Sequence, residues 1–304
     1  MKMKVGEIMN NEDIFNVMRE YENNHYRIEE IFFDSVLEET IDQGDNPDPS
    51  VNKMKLSTKL KEKVSKLIQE LTNIVQKAFL KFSNNMKNLL QTNKGFTKMC
   101  RDQMVKVKPL EAIKLISYEY NPSFLDQQVN LVSKAISDMV TSARNDYNTA
   151  KKDNESADTS DWKTGDTIIK MVLNKAGVPD NVTDLNLYFG FLKEKFRGKK
   201  SEQLFKGSLN AEYYRNATAY NELNNTVEKQ KTKMFQEINT MKTDLNRLIL
   251  ASDTDDRTKQ VMMRHYKNLT HLFNFFTSFM DIYLQLRIEM MMSYRTVMKK
   301  LYQF

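Results

Sequence analysis

The chain has 304 residues, 40% of them hydrophobic, which is enough apolar material for a sizeable core, and its 46 Lys plus Arg outnumber 40 Asp plus Glu by six. Only 8 Gly and 5 Pro are present, leaving little for tight turns, bulges and phosphate-cradling loops, so long helices with few connections are expected. The single cysteine, Cys100, excludes an internal disulfide, and its neighbours Phe96, Met99 and Met104 mark it as a small buried apolar group.

Charge interrupts residues 1–30 throughout, so this stretch lacks the apolar centre of a signal peptide and synthesis in the cytoplasm is expected. Residues 272–292 come nearest to a membrane span but carry Asp281, Arg287 and Glu289, so no transmembrane segment is expected. The 29 Asn, together with abundant Lys and Met, resemble the products of AT-rich genomes, including many bacteriophages of low-GC hosts.

An N-terminal helical bundle is expected over residues 1–150. Ile14, Met18, Tyr21, His25, Ile28, Phe32 and Val36 recur at helical spacing, predicting a helix over 1–43 that stops at Gln43-Gly44-Asp45-Asn46-Pro47. Residues 1–50 hold 13 acids against 4 bases, whereas residues 51–108 hold 14 bases against 3 acids. Within the latter, Leu56, Leu60, Val64, Leu67, Leu71, Ile74 and Ala78 predict a helix over 51–90. Its Lys53, Lys55, Lys59, Lys61, Lys63 and Lys66 are candidate contacts for an anion or a nucleic acid, since each phosphate neutralised releases counterions. The simpler expectation is that the acidic helix packs antiparallel against the basic one and masks it.

A third helical run is expected from Gly95 to Pro109, with residues 110–120 continuing it at a new angle. Asn121-Pro122 is an N-cap followed by proline at the first helical position, opening a helix through Leu125, Val129, Val132, Ile136 and Met139. Residues 151–161 lack an apolar anchor, and 151–164 read as a linker or mobile loop. Residues 165–208 read as a cap of short helices: one closed by Gly177, one over 183–197 closed by Gly198, then a turn around Ser201 to Lys206. Trp162, Tyr188, Phe189, Phe191 and Phe196 are its expected core, with Tyr188 and Phe189 also candidates for a patch facing a partner.

Residues 209–304 read as a long antiparallel helical hairpin, turning near Ser252 and Asp253, with legs of roughly 60 and 70 Å at 1.5 Å per residue. One seam runs through Tyr213, Val227, Met234, Ile238 and Leu245, the other through Leu269, Leu272, Phe276, Phe279 and Tyr283. In that register the polar seam residue Asn224 lies level with Tyr283, whose hydroxyl is its expected partner, and Lys231 lies level with Phe276. Phe273, Phe275, Met280, Leu284, Ile288 and Met291 fall on other faces of the last helix, where one partner helix cannot cover them. Either the preceding helices pack there or another chain does, which makes these residues a candidate interaction surface.

Chemistry is hard to place on this sequence. The three histidines, His25, His265 and His271, have no second His or Cys at metal-ligand spacing, and none of the phosphate-loop, dinucleotide-binding or nucleophile-elbow strings is present. Adjacent carboxylates such as Glu29-Glu30 and Asp255-Asp256 diverge on a helix instead of converging on one atom. No catalytic residue, metal or cofactor is therefore expected. The fold expectation is all-α, an elongated helical bundle with a long C-terminal hairpin. The functional expectation is a non-enzymatic structural or assembly protein, a helical bacteriophage virion component that oligomerises or docks to other particle proteins. Two readings compete with it: a nucleic-acid-associated protein using the basic 53–108 segment, and a soluble helical toxin or effector that becomes membrane-active.

Overall fold

The computed structural model describes residues 11–41, 49–153, 165–207 and 256–303, together with five isolated helical positions between 229 and 243. The described chain is mostly helical, in the order α1 (Asn11–Ile41), α2 (Pro49–Lys106), β1 (Ala112–Tyr118), α3 (Pro122–Asp153), α4 (Gly165–Lys175), α5 (Leu185–Arg197), β2 (Lys200–Lys206) and α6 (Asp256–Leu301). The mostly helical expectation holds for the described residues, which also contain a two-stranded antiparallel sheet of β1 and β2 that was not expected.

Several helices begin and end where local chemistry directs. Asn121 Oδ1 accepts from Phe124 N and Ser123 Oγ, capping α3 immediately before Pro122. Asp184 Oδ1 accepts from Leu187 N at the start of α5. α4 closes with Gly177 at φ +68°, its N–H bonded to Asn174 O and that of Val178 to Leu173 O, the paired bonds of a Schellman motif. These confirm the caps at Asn121 and Gly177, and Gly198 ends α5 as expected.

Two expectations fail. α2 runs unbroken for 58 residues through Gly95, so the separate helices expected over 51–90 and from Gly95 are one helix. The glycine costs about 1 kcal/mol relative to alanine, but Phe96 and Cys100 just beyond it are anchored in a hydrophobic cluster. Residues 112–118 form a strand rather than a helical continuation, and residues 201–206 form its partner rather than a turn. Pro109 ends α2 and biases Lys108 toward extended backbone, after which Ile113, Leu115 and Ser117 alternate with the exposed Ala112, Lys114 and Ile116. What pairs with this strand is 88 positions away at its centre, where Leu115 faces Gln203.

α6 is the helix around which the rest is arranged. α1, α2, α3, α4, α5 and β1 all pack on it, and from Thr270 to Met291 none of its residues is exposed. A helix apolar on every side must be enclosed on every side. α1 runs antiparallel to it, with Asn24 meeting Asn274 and Glu29 meeting His271. α2 runs parallel to it: Lys81 bonds Asp281, and Arg295 stacks over the Phe96 ring. The main core joins α1, α2, α3, α4, α5 and α6, and a second cluster under the sheet joins Phe96, Cys100, Phe205, Val297, Met298 and Leu301.

Of the linker expected over 151–164, the first three residues belong to α3, and residues 154–164 with Trp162, residues 42–48 and the turn expected near Ser252 lie outside the described residues. So does the first leg of the expected hairpin, apart from Lys229, Thr232, Gln236, Thr240 and Thr243. These five are helical and exposed, and they share one face, the one opposite the expected seam.

Candidate functional site

The residues expected to form an interaction surface are interior. Phe275, Leu284, Met291, Tyr188 and Phe189 are fully buried, Phe273 and Met280 are nearly so, and Ile288 packs against the same core. Of the two ways of covering α6, the preceding helices therefore take it: Tyr188 of α5 lies 6.2 Å from the Phe275 ring and stacks on Phe279 at 6.1 Å. Tyr188 and Phe189 thus form no exposed patch. Lys53, Lys55, Lys59, Lys61 and Lys63 lie on α2 with side chains outside the described set, and Lys66 is exposed.

A series of polar contacts runs the length of α6, each tied to a particular neighbour. Near its start, Glu29 of α1 takes His271 Nε2 at 2.9 Å and Lys267 Nζ at 2.6 Å. Burial would raise the Glu29 pKa, but the His271 and Lys267 hydrogen bonds and the Lys267 charge outweigh it and hold the carboxyl at about 2. His271 is fully buried and its pKa is lowered, first by desolvation and then by His25 and Lys267, so the neutral imidazole donates Nε2–H to Glu29. The His25 ring lies 4.6 Å from it. That juxtaposition has no signal in the sequence, because 246 residues separate the two. Next, Asn274 Nδ2 donates to Tyr21 O while its Oδ1 accepts from Asn24, filling both ends of a buried amide.

One turn further on, a polar cavity of about 340 Å³ opens between α1, α2 and α6. Lys81 crosses it to reach Asp281 at 2.6 Å and Glu20 at 3.5 Å, and Arg27 meets Glu70 at 3.4 Å. Desolvation opposes charge on Lys81, yet the hydrogen bond and charge of Asp281 prevail and raise its pKa. Burial dominates at Asp281, raising its pKa despite Lys81. Lys81 thus ties α2 to α1 and α6 through two carboxylates.

Toward the C-terminal half, Tyr283 Oη donates to Asp126 Oδ1 of α3 at 2.9 Å, and Arg287 binds the same carboxylate and Pro122 O. The hydroxyl of Tyr283 thus bonds Asp126, while Asn224, its expected partner, lies outside the described residues. Glu289, almost wholly buried, accepts Arg197 from the end of α5 and the Tyr120 hydroxyl. Desolvation, with the charge and hydrogen bond of Glu289, pushes the Tyr120 pKa up, so Tyr120 stays a neutral donor. Ser293 Oγ meets Ser117 Oγ of β1 at 3.4 Å.

Among the described residues no group of three or more His, Cys, Asp or Glu is placed to hold a metal ion, and no helix is long and apolar enough to cross a membrane. No family model, curated protein or solved structure matches the chain.

Proposed function

We propose that this chain is a non-enzymatic structural protein that assembles with copies of itself, as a helical component of a bacteriophage-type particle. The observation that carries this reading is α2. Its 58 residues span about 87 Å at 1.5 Å per residue. A compact chain of this length has a radius of gyration of about 19 Å and a diameter of about 50 Å. α2 is held along that length at Ile68 in the main core, at Lys81 through Asp281, and at Phe96 and Cys100 in the second cluster. α6 lies parallel to it and enters both clusters. Two long parallel helices tied at successive levels make a strut, and the ionisable groups along α6 serve to tie it. The composition shared with phage proteins of AT-rich genomes supports the particle setting.

Sedimentation velocity of the full chain over a wide concentration range tests this. Species larger than a monomer, growing with concentration, are expected. A monomer at every concentration would overturn self-assembly.

A further inference from the structure

The two-stranded sheet presents two unlike faces. Ile113, Leu115 and Phe205 cover the second core, while Lys114 and Ile116 of β1 and Lys200, Glu202, Leu204 and Lys206 of β2 point the other way and are exposed. Around this ribbon the fold collects positive charge from three separate parts of the chain. Residues 94–120, 198–207 and 295–303 together hold twelve Lys or Arg against four Asp or Glu, a surplus greater than the +6 of the entire chain. The ends of α2 and α6 meet beside the ribbon, where Leu110 N bonds Leu301 O and Gly207 N bonds Glu111 O. That brings Lys106, Lys108, Lys299 and Lys300, all exposed, next to the sheet.

We propose that the outer face of the β1–β2 ribbon, flanked by the lysines ending α2 and α6, binds double-stranded DNA. Two antiparallel strands have the width that a B-form major groove, about 12 Å across, admits, whereas the A-form RNA groove is too narrow. In this placement Lys114, Lys200 and Lys206 reach phosphates beside the groove and the lysines ending α2 and α6 add to the local positive charge, while Glu202 faces the amino edge of a cytosine and Ile116 and Leu204 meet base methyl groups. An anionic bilayer is the competing polyanion, since Ile116 is 61% and Leu204 47% exposed among lysines. Glu202 decides against it: it pairs directly with Ile116 across the ribbon, so seating the aliphatics in a bilayer would carry a carboxylate in with them. This surface differs from the Lys53–Lys66 segment, and the inference does not depend on self-assembly.

The test is fluorescence anisotropy of the full chain with a labelled duplex of about 30 base pairs, roughly three turns, titrated at several salt concentrations. The Lys114→Gln, Lys200→Gln, Lys206→Gln triple variant should weaken binding and lower the slope of log K against log salt by about 3. Ile116→Lys, which adds a base on the same face, should raise that slope by about 1. A Lys53→Gln, Lys55→Gln, Lys59→Gln triple should leave it unchanged. The proposal is overturned if wild type does not bind duplex at low salt, if the first triple binds as wild type does, or if only the last triple loses binding. Retention on phosphatidylserine vesicles without duplex binding would assign the face to membranes instead. Because Lys114, Lys200 and Lys206 are exposed, unchanged circular dichroism is expected for the first triple variant.

Discussion

Arg197, the last residue of α5, donates from Nε and Nη2 to one oxygen of Glu289 at 3.1 and 2.6 Å, and Tyr120 donates to the other oxygen at 3.1 Å. The side chains are 12% and 1% exposed, so each charge depends on the other. Glu289→Ala or Arg197→Ala alone should therefore cost about 3–5 kcal/mol, because either leaves an uncompensated buried charge. Replacing both by Leu should cost markedly less. Urea denaturation of the three variants checks this, and a double variant as unstable as the singles would count against the pair.

Gly198 adopts φ +53°, and a Cβ added there would lie 2.5 Å from the carbonyl oxygen of Glu119. Gly177 also has positive φ, at +68°, but no atom within 4 Å of the added carbon. Gly177→Ala should then cost about 1–2 kcal/mol for the left-handed backbone alone. Gly198→Ala should cost clearly more, because Glu119 N bonds Lys199 O and the β1 end cannot withdraw without breaking that link. Thermal melts of the two variants side by side decide it.

Acid should destabilise the fold in two stages. His271 has a folded pKa below its ordinary 6.5, so the unfolded chain takes up the proton first and stability falls as pH drops below about 6.5. Glu29, depressed from 4.5 to about 2, contributes stability that is present above pH 4.5 and lost on falling toward 2. Lys267, His25 and Glu29 are the charged or titratable groups facing His271. In His271→Gln the upper stage should vanish while the lower one persists. Denaturant midpoints measured from pH 7.5 to 3 report both stages.

Cys100 is fully buried, and burial pushes its thiol up to about 11. Only the thiolate attacks disulfide reagents. The native protein at pH 8 should therefore react with such a reagent far more slowly than the same protein in denaturant. Equal rates in the two conditions would show that the cluster under the sheet opens readily.

Much of the helical content was legible because its determinants are local. The steps of three and four through Leu125, Val129, Val132 and Ile136 mark the buried face of α3, and all four are buried. Asn121 before Pro122 and Gly177 after α4 set helix ends through hydrogen bonds spanning only a few residues. The β1 strand was harder to read. Its two-residue alternation covers only seven positions and follows a long helix, and its stabilising partner lies far along the chain. Gly95 misled for the converse reason: its local cost is outweighed by the anchoring of Phe96 and Cys100 against α6 and the sheet.

By itself the sequence determined where apolar faces lie, which residues cap helices, and that Leu272 to Met292 is too apolar to be left in water. A periodic pattern states which face must be covered and is silent on what covers it. Only the tertiary structure decided that α1, α3 and α5 enclose α6, that Tyr283 bonds Asp126, and that Glu29 reaches His271. These contacts join residues 157 and 242 positions apart. They depend on which helices arrive side by side, and that follows from burying the largest apolar area at once.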